Sequence, residues 1–127
     1  MIESNAVNLP HIQAAIQLLF QSYEAALMQN DLETLNRLFW QSPLAIRFGV
    51  GETLYGIEAI RNFRQARDTG NLQRSLHNTT ITTFSDNFAI TTTEFERVGQ
   101  PAGRQTQTWV RFSDGWRIVS AHVSFGV

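Results

Sequence analysis

A phenol and a guanidinium are the side chains in this sequence best suited to chemistry on a small acid. Tyr23 shares an apolar stripe with Ile12, Ile16, Leu19, Phe20 and Leu27, and a buried phenol needs a hydrogen-bond partner. It is either a core aromatic with its hydroxyl satisfied or a group turned toward a polar cavity. Arg47 stands between Ile46 and Phe48, opposite in phase to the apolar residues. It is a charge on a solvated face, or, if both faces of its segment are covered, a two-pronged clamp for a carboxylate. Sharing one cavity, Arg47 would hold and partly neutralise a carboxylate while Tyr23 donates or relays a proton, and the cation would favour the phenolate.

Other candidates are weaker in pattern. Gln107 and Trp109 share one face of a strand. If that face points inward, Glu94 on the neighbouring strand and Trp40 could complete a pocket with apolar walls and a few polar anchors. Otherwise they are a surface glutamine and a core aromatic. Arg61, Arg64 and Arg67 crowd one short helix, as a solvated face, as intersubunit ion pairs, or with Arg64 turned into the pocket. His11, His77 and His122 fall on different elements without a metal-site spacing, so no metal or other cofactor is expected. His122 reads as packed in the sheet or in a dimer interface.

These residues depend on elements that the periodicity outlines. The 3.6-residue pattern predicts a helix over about Asn8 to Gln29 with Asn8 as its N-cap, and a second over Leu32 to Leu38 after Asn30-Asp31. Ser42 to Gly56 reads as short strands around a turn at Gly49 to Gly51. A third helix follows, with Ile57, Ile60 and Phe63 on its apolar face and Gly70 placed to end it. From Leu72 the period becomes 2, giving antiparallel strands at roughly 72–84, 88–98, 103–112 and 115–125, long enough to twist and curl around the helices. Residues 1–127 form one domain on this reading, without repeat or linker.

Composition removes several functions. The formal net charge of −1 offers no field for nucleic acid or anionic lipid. Every cation is Arg, so lysine nucleophiles and Schiff bases are excluded, and the absence of Cys excludes disulfides, thiolates and cysteine-bound zinc. No phosphate loop, nucleophile elbow or RNA platform is present. The start, Met1 to Asn5, lacks a basic signal-peptide region, and no long apolar run follows, which points to a cytoplasmic protein.

Particular strings sharpen this outline. Asn30-Asp31-Leu32-Glu33 leading to Leu38-Phe39-Trp40, then Arg47-Phe48-Gly49, then Tyr55 to Arg64, resemble the AtzH-like family, which includes an oxalurate-catabolism protein. Gly103-Arg104-Gln105, Thr108-Trp109, Gly115 to Val119 and Ala121 to Ser124 look like the family's last two strands. The family pattern has Asp where this chain has Gln41. The resemblance implies an α+β nuclear transport factor 2-like (cystatin-like, SnoaL-like) cone of three helices on a curved antiparallel sheet. It further implies a cytoplasmic homodimer paired through its sheets, working beside an amidase, with a pocket for small carboxylated ureas such as oxalurate. Tyr23 and Arg47 become the expected principal residues. The activity implied is a cofactor-free hydrolase or decarboxylase, and the competing reading is a non-catalytic ligand-binding or amidase-accessory dimer.

Overall fold

The computed structural model describes residues 1–126 of the 127. The helices are α1 (Pro10–Gln29), α2 (Leu32–Leu38) and α3 (Ile57–Ala66). The strands are β1 (Ile46–Phe48), β2 (Thr53–Tyr55), β3 (Ser75–Phe84), β4 (Phe88–Glu96), β5 (Gly103–Phe112) and β6 (Gly115–Phe125). The fold is the expected α+β cone.

Helix α1 buries Ile12, Ile16, Phe20, Tyr23, Ala26 and Leu27, the stripe that helical spacing dictates. Asn30 ends it in a left-handed conformation, and Asp31 caps α2 by accepting from the Thr34 amide at 3.2 Å. The start differs from expectation. Leu9 holds the N-cap position and Pro10, which has no N–H to leave unpaired, opens the helix. Asn8 instead pairs with β3, its amide donating to the Thr83 carbonyl and its side chain accepting from the Thr83 amide, both at 2.9 Å. This pins the helix to the sheet rather than capping it.

Helix α3 stops at Ala66 because Arg67 turns extended, so Gly70 is not its terminator. That early exit swings Arg67 toward the interior instead of leaving it on the solvated side of another turn.

The six strands form one sheet in the order β2-β1-β6-β5-β4-β3. The long strands pair antiparallel, but β1 runs parallel to β6, so the sheet is mixed rather than purely antiparallel. The helix-containing route from β1 back to the sheet allows it, since a parallel partner cannot be reached by a tight hairpin. Register breaks at His77/Thr80 and Thr108/Trp109 bend the sheet into its curve. Its concave face carries Ala89, Trp109, Ile118 and Ala121, which pack under the helices. Each large apolar side chain so enclosed contributes roughly 1.5–3 kcal/mol.

Candidate functional site

Tyr23 is part of the buried core and sits among the arginines. The stripe of α1 carries it inward to 3% exposure, against Phe39. Its hydroxyl accepts from Arg64 Nη2 at 3.4 Å, leaving the phenol's own proton free. Arg64 is not on a solvated face: it is 1% exposed, with its guanidinium 4.9 Å from the Phe39 ring centroid. Helical spacing from Ile57 and Ile60 puts it on the buried side of α3, while Arg61 lies outside and donates to Gln41.

Arg47 also turns inward. It pairs with Ala121 of β6 in register, projects over the Phe63 ring and reaches Glu52 Oε1 at 2.7 Å. Its side chain is 11% exposed, so the solvated-face reading does not hold. It lines a cavity of about 270 Å³ with Glu52, Phe63, Phe95, and two residues the sequence patterns did not single out, Arg67 as a pocket group and Arg97.

A buried ion pair stands beside them. Arg74 donates to both carboxylate oxygens of Glu24, through Nε at 3.0 Å and through Nη2, and Nη2 also meets Gln105 Oε1 at 3.0 Å. Glu24 follows Tyr23 directly on α1, and its distant partner, just before β3, makes its burial tolerable. Arg74 and Arg97 both lie against Phe95, 4.5 and 5.1 Å from its centroid.

The electrostatics are lopsided. Arg47 has Glu52 and Arg74 has Glu24, yet Arg64, Arg67 and Arg97 form no ion pair among the described residues. Arg64 Nε and Nη1, Arg67 Nε and Nη2, and Arg97 Nε are buried without an acceptor. Burial, with Arg64 adding to it, pushes Arg67 down to about 10, and burial likewise lowers Arg64 and Arg97. For Tyr23, burial alone would raise the phenol, but Arg64, then Arg47 and Arg74, outweigh it and hold the group below its ordinary value. Unpaired buried donors and clustered cations cost a folded protein free energy. A carboxylate would satisfy them.

The remaining expected site residues divide. Gln107 points inward and is fully buried. Trp109 is also inside, but its indole is committed to Thr91 Oγ1 at 3.1 Å and its ring belongs to the core, so it has no free group for a ligand. Glu94 falls on the opposite, exposed face, where it accepts from Asn78, because strand alternation sends Thr91, Thr93 and Phe95 inward. Trp40 does not join the arginines either. It stacks on Phe112, centroids 5.4 Å apart, in a surface cleft with Gln41. There Gln41 donates to the Asn36 and Phe39 carbonyls at the end of α2 while accepting from Arg61, a double role a carboxylate could not fill. His122 is exposed and meets Phe48 edge-on rather than packing inside. Among the described residues no group of three or more His, Cys, Asp or Glu is placed to hold a metal ion, and no helix is long and apolar enough to cross a membrane.

Comparison with known proteins places this arrangement in context. The family model for AtzH-like proteins matches residues 5–126. A DUF3225-family protein from Pectobacterium atrosepticum, of unknown function, is 46% identical, with both chains covered in full and a TM-score of 0.98. A cystatin-like fold protein from Burkholderia xenovorans is also 46% identical, with 98% of this chain and 97% of that one covered and a TM-score of 0.92. A nuclear transport factor 2-like superfamily protein from Salmonella enterica serovar Typhimurium is similar in fold alone, at 23% identity and a TM-score of 0.75 over 92% of each chain. No functionally curated protein matches the chain.

Proposed function

The chain belongs to the AtzH-like family, and from that premise and its arginine-lined cavity we propose that it is a cofactor-free enzyme acting on small carboxylated ureas. The observation that carries the reading is the set of buried guanidinium donors around one phenol, with no carboxylate assigned to Arg64, Arg67 or Arg97. Arg47, Arg67 and Arg97 at the cavity wall take a substrate carboxylate, and the guanidinium fork matches its two oxygens. Tyr23, held below the ordinary phenol value by the neighbouring guanidiniums, is the proton donor.

In the decarboxylation this supports, the bond between nitrogen and a carboxylate carbon breaks. Its electron pair stays on nitrogen, nitrogen takes the Tyr23 proton, and carbon dioxide leaves. Arg64 stabilises the phenolate until water restores the proton. If water instead attacks the urea carbonyl, the Tyr23 proton goes to the departing nitrogen, the water's own proton returns to the phenolate, and ammonia marks that route. The family premise also supports a cytoplasmic homodimer, paired through the outer sheet face where Phe48 contacts Tyr55 and His122, and association with an amidase.

The test follows carbon dioxide and ammonia from 1,3-dicarboxyurea, oxalurate and allophanate. Wild-type protein is expected to turn over at least one, with Tyr23→Phe and Arg47→Gln each slowing it about 100-fold or more while remaining folded. Absence of wild-type turnover overturns the enzyme reading. If those acids still raise the melting temperature, the accessory binding protein is the correct reading.

A further inference from the structure

One buried donor is not accounted for by the carboxylate cavity. Gln107 is fully buried and its Nε2 has no partner. The other end of the amide is held: Trp109 Nε1 donates to Thr91 Oγ1 at 3.1 Å, and Thr91 Oγ1 donates to Gln107 Oε1 at 3.1 Å. An indole N–H can only donate, so the relay has one direction. The threonine proton has Gln107 Oε1 as its acceptor, and the amide nitrogen is turned away from β4.

The register shows what it shares a face with. Thr91, Gln107, Ala121 and Arg47 are successive cross-strand partners over β4, β5, β6 and β1; the first three are buried and the Arg47 side chain is 11% exposed. Arg47 and Gln107 therefore flank Ala121 two strands apart, roughly 10 Å between backbones. Ala121 puts only a methyl group between them. The unpartnered Nε2 of Gln107 is thus on the same face as the Arg47 guanidinium, with one strand between them.

Resting on the carboxylate-binding reading above, we infer that Gln107 is a carbonyl-binding residue: its Nε2 donates to an acceptor oxygen lying between the ligand's acid groups. It makes the site selective for dicarboxylates with a central carbonyl over those with a methylene there. Nε2 is buried without a partner, so a central carbonyl gains a hydrogen bond there that a methylene cannot make. In amide cleavage the same donor faces the oxygen on which negative charge gathers.

Glutarate and freshly dissolved 3-oxoglutarate differ only in that central oxygen, and neither needs turnover to be read. Titration calorimetry on the full chain is expected to show 3-oxoglutarate binding about tenfold to a hundredfold more tightly. Gln107→Met brings the ratio of the two dissociation constants close to one. Thr91→Val, which frees the amide to flip, reduces it part of the way. A wild-type ratio near one, or a ratio that survives in folded Gln107→Met, overturns the assignment and leaves the anion cavity standing. If neither acid binds the wild type, the cavity reading itself fails and takes this assignment with it. Should Gln107→Met not fold, the wild-type and Thr91→Val ratios still decide.

Discussion

Tyr23 sits between two opposing effects, and their balance sets a measurable ionisation. Burial favours the neutral phenol, while Arg64, Arg47 and Arg74 favour the phenolate and prevail. A tyrosine lowered in the folded state adds stability that is fully present above its unfolded value, near 10, and is lost as pH falls through the folded value. The unfolding free energy of wild type minus that of Tyr23→Phe should therefore be flat at lower pH and rise with pH across that window. Because the chain has only Tyr23 and Tyr55, the difference in phenolate absorbance between wild type and Tyr23→Phe isolates the titration. A midpoint at or above 10 would contradict the cation cluster. The sequence made Tyr23 and Arg47 visible because an apolar stripe and a strand phase locate them. Glu24, Arg74 and Arg97 were not visible, since a charged residue's burial depends on a partner distant in sequence, here 50 residues away for Arg74 and Glu24.

On the scale of elements, β4 and β5 show how a strand pair aims a guanidinium. Phe95 and Gly103 are cross-strand partners, and a Cβ at Gly103 would collide with the Phe95 ring. Glycine lets the ring lie over the backbone, and that ring supports both Arg74 and Arg97. Gly103→Ala should tilt Phe95 and displace Arg97, destabilising the protein by about 1–3 kcal/mol and weakening binding of glutarate more than binding of a neutral amide. An unchanged glutarate affinity would remove Phe95 and Gly103 from the positioning of the site. The change of period from 3.6 to 2 marked helices and long strands correctly, because it reports which face each element buries. It could not report that β1 pairs parallel to β6, nor that Asn8 serves β3, since those bonds join segments remote in the chain. Gly70 misled for a related reason: α3 ends where Arg67 is drawn inward, before its local terminator is reached.

For the molecule as a whole, stability and function pull apart inside the cone. A fully buried Arg64 with two unpartnered nitrogens is sustained by one 3.4 Å bond to Tyr23 and by ring contacts. Replacing a poorly compensated buried charge by an apolar side chain of similar length is often neutral or stabilising, by up to a few kcal/mol. Arg64→Met should therefore unfold at the wild-type temperature or a few degrees above it, while losing turnover. An acid that binds the folded state alone supplies the missing compensation in the wild type: at about 100 times its dissociation constant it adds about 2.7 kcal/mol. For a domain of this size that raises the melting temperature by roughly 10 °C. The shift should shrink in Arg64→Met, because one of the cations that distinguishes bound from empty protein has gone. Differential scanning fluorimetry with glutarate and 3-oxoglutarate, with succinamide as the uncharged control, measures both effects. A variant that melts well below wild type, with an undiminished ligand shift, would mean that Arg64 is a structural brace and that the ligand's charge is balanced by Arg47, Arg67 and Arg97 alone.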